Sequence, residues 1–178
     1  MALSKIDAAN FLTGTIPQGN VANASLGAVT SLPGAIATGK VLQVVSAVRS
    51  TEITTSSQSY VTTNCTASIT PSATSSKVLV LVEQAGCGKR SGDTWLNLKL
   101  VRGSTTIITF CTFAGYTGSN ASNMIGTIST SFLDSPSTTS QTTYKTVMST
   151  GNTPGTHHVQ EADAGAQTST ITLIEVAG

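Results

Sequence analysis

The sequence predicts an all-β protein: an antiparallel β-sandwich preceded by a long extended N-terminal arm. Three observations carry that expectation. Ser and Thr make up roughly three residues in ten, and β-branched Thr favours extended backbone. No window sustains a helical hydrophobic period. From residue 40 onward, short apolar or alternating runs are separated by turn residues, at a spacing of about 10–25 residues.

The runs follow one another in a clear order. KVLQVVSAVRS (40–50) opens the series. SYVTTNCTASITP (59–71) alternates, so Val61, Thr63, Cys65, Ala67 and Ile69 share a face and Pro71 ends it. SKVLVLVEQAG (76–86) is apolar on both faces, which predicts a central strand closed by Gly86. DTWLNLKLVRG (93–103) sets Leu96, Leu98 and Leu100 against Asn97 and Lys99. A tight turn at Arg102-Gly103-Ser104 leads into TTIITFCTF (105–113). MIGTISTSFLDSP (124–136), TTYKTVMST (142–150) and STITLIEVAG (169–178) complete eight strands. Eight strands with no helix between them predict a jelly roll. An immunoglobulin-like sandwich is the alternative. Trp95 lies between Cys87 and Cys111, but an inter-sheet disulfide of that fold needs a far longer gap.

The arm is a different kind of text. Residues 12–39, LTGTIPQGNVANASLGAVTSLPGAIATG, carry no charge. Leu12, Ile16, Val21, Leu26, Val29, Leu32 and Ile36 recur at intervals that suit neither a helix nor a strand, and Pro17, Pro33 and several glycines break a helix. Such a segment cannot bury its own apolar side chains. It needs copies of itself around an axis or a groove on a neighbouring protein, so these seven residues are the predicted anchoring and oligomer contacts. MALSKIDAANFL, before it, has the spacing of a short helix or peg and no apolar secretory core. The domains predicted are therefore residues 1–40, the arm, and 41–178, the sandwich.

Composition excludes several functions. Only 10% of residues are charged and the net charge is +1, so there is no basic patch for nucleic acid. No stretch reaches the ~20 apolar residues of a membrane span. Disorder needs low hydrophobicity and high net charge, and 39% of this chain is hydrophobic. Cys65, Cys87 and Cys111 are odd in number and unpaired by spacing, which reads as reduced thiols of a protein made in a reducing cytoplasm. The N-x-[ST] matches at Asn23, Asn64 and Asn120 are what chance gives in a Ser/Thr-rich chain.

Reactive constellations are sparse. His157-His158, with Glu161 and Asp163 close behind, is the one cluster of metal-type ligands, but adjacent histidines on a strand face opposite ways. It reads as a solvated loop with no metal. The G-x-S-x-G elbow is absent. Cys87 sits between glycines near Lys89-Arg90 and reads as an incidental loop cysteine, and GCGKRSG lacks phosphate-loop spacing. The carboxylates (Asp7, Glu52, Glu83, Asp93, Asp134, Glu161, Asp163, Glu175) are few, and Trp95, Tyr60, Tyr116 and Tyr144 look scattered rather than gathered into a sugar-cleaving groove. No catalytic residue, cofactor or metal is predicted.

The phrases LTGTIPQGNVANASLGAVTSLP, GKVLQVV, SKVLVLV, LKLVRGST, SFLDSPSTTSQTTYKTVM and STITLIEVAG, in that order, resemble small virion proteins of tailed phages, the tail-fibre-like structural proteins of marine and cyanobacterial phages. The resemblance spans nearly the whole chain. It implies a fibre-head type of trimer, with three jelly rolls around an axis and arms running to an attachment point on the particle. It places the protein on the virion, as tail-fibre or fibre-tip material engaged in host attachment and without enzymatic activity. The partners implied are other copies, other virion proteins through the arm, and a host-surface glycan or protein. The alternative is a capsid decoration protein; a glycan-cleaving enzyme ranks third. A hydroxyl-rich surface loses little when packed on a copy of itself, since no charge is desolvated. The predicted exposed contact loops are 115–123 and 151–165, with Tyr116, Asn120, Asn123, His157 and His158 as their anchors.

Overall fold

The computed structural model of the chain describes residues 41–178 other than 92, 119–121, 153–154 and 164. The predicted arm contacts Leu12, Ile16, Val21, Leu26, Val29, Leu32 and Ile36, and the predicted loop residue Asn120, lie outside the described residues. Among the described residues there are ten strands and no helix. They are β1 (Val41–Arg49), β2 (Ile53–Thr55), β3 (Val61–Ile69), β4 (Lys77–Ser91) and β5 (Leu96–Arg102), then β6 (Thr105–Ala114), β7 (Asn123–Asp134), β8 (Thr142–Thr150), β9 (Thr156–Val159) and β10 (Ser169–Val176).

Every pairing is antiparallel, and the strands form two packed sheets. The larger runs β1-β10-β4, with β7 on the far side of β4; beyond the end of β10, β4 pairs instead with β9, which carries β2. The smaller sheet runs β3-β8-β5-β6. Leave out the two shortest strands and a rule emerges. The first long strand pairs with the last (β1 with β10), the second with the seventh (β3 with β8), the third with the sixth (β4 with β7) and the fourth with the fifth (β5 with β6). One long hairpin, rolled up, pairs in this way.

Alternation builds the core between the sheets. Cys65, Ala67 and Ile69 of β3, Val78, Val80 and Val82 of β4, Leu100 of β5, Tyr144 of β8 and Ile171 and Leu173 of β10 form one buried cluster. Cys87, Leu96, Leu98, Met148 and Val159 form a second toward the other end. The predicted inward faces of the 59–71 and 93–103 runs are the observed ones from Thr63 onward and at Leu96, Leu98 and Leu100.

The prediction that Gly86 closes the third run is corrected. β4 continues to Ser91. Gly86 has φ +59°, and the register to β7 shifts between Gln84 and Cys87, so the glycine makes a bulge that the strand passes through. The run is central by pairing, but its second face stays open: Leu81 is exposed on the outer surface of the larger sheet.

The strands run between two poles. Val41 pairs with Val176 and Val176 with Lys77, so the chain coming from residue 40 joins the sandwich at one pole. That pole is tied by polar clasps. Glu175 accepts hydrogen bonds from the Ser72 amide (2.7 Å), the Ser72 hydroxyl (2.6 Å) and Gln43 Nε2 (2.5 Å). Asp134 accepts from Tyr144 (2.7 Å) and pairs with Arg102 (2.6 Å). At the opposite pole lie Lys89, Asn123 and His157, which pair across β7, β4 and β9. From Lys77 to Lys89 the strand covers roughly 40 Å at ordinary strand rise.

Candidate functional site

The pole far from Val41 gathers the polar and aromatic side chains. Two groups form there, one of ions around the buried Glu161 and one of partly exposed rings.

The ionic group begins with two glycines. A side chain on Gly86 would collide with the Glu161 backbone, and one on Gly88 with the His158 ring. Glycine at both places lets residues 158–161 lie directly on β4, held by the Gln160 amide to Ala85 O (2.9 Å) and the Glu161 amide to Gly86 O (3.3 Å). His158 and Glu161 are thereby buried side by side, with Nε2 2.5 Å from Oε2 but poorly oriented for a hydrogen bond. Arg90 reaches across β4's end. Its Nη2 lies 2.9 Å from Glu52, 3.2 Å from Glu161 and 3.0 Å from Asp163.

The three carboxylates offer oxygens within 4.8 Å of one another, a spacing that could hold a cation. One guanidinium nitrogen touches all three, so Arg90 itself supplies that cation. The Asp163 amide hydrogen bond holds Glu161 below the usual carboxylate range, against the effect of burial and with help from His158 and Arg90. Burial pushes His158 down although Glu161 opposes it, and pushes His157 down to about 4. At neutral pH Glu161 is therefore an ionised carboxylate held by an arginine, beside two neutral imidazoles. General acid chemistry needs a carboxyl with a raised pKa, and Glu161 is shifted the other way.

The expectation that His157 and His158 are exposed contacts in a solvated loop is corrected. They stand on β9, a strand the sequence did not announce, and both are buried. His157 packs against Thr94, Nε2 to Oγ1 3.4 Å, and His158 against Gly88. Cys87 is corrected as well: it is a fully buried residue of β4, not of a loop. Burial pushes its thiol up to about 12, which leaves it inert.

The aromatic group is the part the sequence reading missed. Trp95, Phe113 and Tyr116 are not scattered. Their ring centroids lie 4.4 Å (Trp95–Phe113), 4.7 Å (Phe113–Tyr116) and 6.0 Å (Trp95–Tyr116, edge to face) apart. A bulge brings them together. Leu98 pairs with Cys111 and Leu96 with Ala114, so two residues of β6, Thr112 and Phe113, oppose Asn97 alone. Phe113 takes the left-handed conformation, φ +63°, which is costly for a large side chain, and its amide donates to Asn97 Oδ1 at 3.4 Å. The bulge leaves Phe113 53% exposed, and Tyr116 is 44% exposed. On the other side the indole lies directly against Gly151, where any side chain would overlap it. Asp93 hydrogen-bonds the Tyr116 hydroxyl and so raises its pKa.

No family model matches this chain, and no curated protein matches it.

Of the predicted contacts, Tyr116 is exposed at this pole, and Asn123, half-buried, opens β7 opposite Lys89. Glu52, Arg90, Asp93, Trp95 and Phe113 were not singled out as anchors. One signal was available. Trp95, Phe110, Phe113 and Tyr116 are half of the chain's eight aromatic residues, within a stretch of 22.

Proposed function

We propose that this chain is a non-enzymatic structural protein of a tailed-phage virion: a homotrimeric jelly roll at a fibre tip, anchored through residues 1–40 and engaged in host attachment. The observation that carries the proposal is polarity. The chain joins the sandwich at one pole, at Val41, and exposes its aromatic surface at the other. An adhesive tip needs this separation of anchor from contact surface.

Two further features support the reading. The first-with-last pairing of the eight long strands is the order of a jelly roll, two four-stranded sheets wound from one rolled hairpin. The outer face of the larger sheet supports assembly. Val44, Ile174, Leu79 and Leu133 are register partners in sequence across β1, β10, β4 and β7, forming an apolar ladder on the side away from the core. Leu42 extends it, Leu81 shares the next rung with the hydroxyls of Ser46, Thr172 and Ser131, and Val48 stands in the rung of Thr170, Glu83 and Ser129. A nearly uncharged face of this kind suits a second copy of itself.

The resting chemistry of the ionic group supports a non-enzymatic role, since its carboxylates are committed to Arg90. Antibody labelling of intact particles, with copy counting, tests the proposal. Labelled tail tips at a few dozen copies are expected. Several hundred copies over the head would make the chain a capsid decoration protein, and unlabelled particles would refute a virion role.

A further inference from the structure

We propose that the ring cluster of half-buried Trp95 and exposed Phe113 and Tyr116, rimmed by Asp93, is a binding site for a neutral pyranose glycan. This deepens the attachment reading above and rests on it, by naming the chemistry of what the tip touches.

The cluster is built, not left over. In a chain of eight aromatics, three are brought together from two segments, Trp95 before β5 and Phe113 and Tyr116 at the end of β6. Phe113 is turned outward by a bulge that costs it a left-handed backbone, and Asn97 takes up the amide that the bulge frees. Gly151 carries the indole on its bare backbone. A fold seeking only stability would bury these rings, yet about half of Phe113 and of Tyr116 meets solvent.

The chemistry then selects the ligand. A pyranose ring presents a flat patch of C–H groups on one face and hydroxyls around its edge. Exposed aromatic rings receive such an apolar C–H patch. A carboxylate at the rim accepts from the hydroxyls, and charge-assisted acceptance strengthens those bonds. Asp93 is exposed beside Tyr116 and fills that place. Asn152 donates its amide to the Asp93 carbonyl (3.4 Å), and the Thr117 hydroxyl, next to Tyr116, accepts from Lys89 (2.6 Å). Electrostatics narrows the class. Glu52, Asp93, Glu161 and Asp163 stand at this pole against Lys89 and Arg90, four carboxylates to two cations, so uronic and sialic acids are disfavoured.

Trp95 is the chain's single tryptophan, so its emission reports on the site directly. The test titrates the full chain with cellotetraose, maltotetraose, chitotetraose and mannotetraose, and with tetragalacturonate as the acidic comparison, following Trp95 fluorescence and calorimetry. At least one neutral tetrasaccharide is expected to bind saturably, and tetragalacturonate at least tenfold more weakly. Phe113→Ala and Tyr116→Ala should each weaken binding at least tenfold, and Tyr60→Ala, on a ring covered by Lys99 elsewhere, should leave it unchanged. Both loss variants remove exposed side chains, and an unchanged melting temperature verifies that they fold. Absence of saturable binding by all four neutral sugars overturns the proposal, as does full affinity in Phe113→Ala or preference for tetragalacturonate. Particle labelling is read separately. Labelled tail tips with a silent sugar panel sink the glycan site alone, and unlabelled particles sink the virion role.

Discussion

Glu175→Gln should unclasp the pole where the chain joins the sandwich, and it should do so only above acid pH. The Glu175 side chain is fully buried at the junction of β1, β10 and the 70–72 turn. Burial opposes its ionisation, but the donors on Ser72 and Gln43 outweigh that and bring its pKa from the ordinary 4.5 to about 2. Unfolded, the group binds a proton more readily than when folded, so the ionised clasp stabilises the fold fully above pH 4.5 and stops doing so as pH falls through about 2. At 1.36 kcal/mol per unit, the clasp contributes up to about 3 kcal/mol at pH 7. The amide of Gln keeps one acceptor but turns an NH2 toward donors, so most of that contribution is lost. For a domain of this size the loss lowers Tm by about 10 °C. Melting curves of wild type and Glu175→Gln at pH 7 and pH 2 provide the measurement. The gap between the two proteins should be widest at pH 7 and close toward pH 2. A gap of equal size at both pH values would refute the reasoning, because it would mean that packing, not charge, is what the substitution removes.

Two other outcomes follow from the same structure. Gly86→Ala combines φ +59° with a collision against the Glu161 backbone and should cost at least about 3 kcal/mol, whereas Gly103→Ala, at φ +58° in open space, should cost only about 1 kcal/mol; denaturant unfolding of the pair checks the ordering. Burial holds the Cys65 thiol at about 11 and Cys87 at about 12, so at pH 8 each is thiolate in about one molecule in a thousand or fewer. A thiol reagent should therefore label Cys111 alone in the native protein and all three cysteines after unfolding in guanidinium.

The long strands were legible because alternation and turn residues are local signals. Cys65, Ala67 and Ile69, like Leu96, Leu98 and Leu100, bury the face that their spacing assigns. The short strands were not. β2 has three residues and β9 four, and β9 buries two imidazoles where a pattern reader looks for aliphatic side chains. The glycines around Cys87 misled for a related reason. Locally they read as a turn, but their requirement comes from His158 and Glu161, some seventy positions along the chain. The candidate site is of the same kind. Trp95 and Tyr116 look unrelated until the Thr112–Phe113 bulge turns a third ring between them, and a bulge without glycine leaves no mark in the sequence. The ionic group is equally non-local, since Glu52, Arg90 and Glu161 meet only when β9 is laid on β4.

We propose that this polypeptide works as one member of a symmetric assembly. Leu42, Val44, Val48, Leu81 and Leu133 remain between 39% and 70% exposed on one face. At roughly 2 kcal/mol for fully covering one such side chain, hiding what is left would contribute about 5 kcal/mol per face. Sedimentation equilibrium of the full chain measures this most directly. A species of about 54 kDa, three times the 18.1 kDa chain, is predicted, with Val44→Lys and Leu133→Lys shifting it toward the single chain. A wild-type protein that sediments as one 18.1 kDa chain at tens of micromolar would contradict the account.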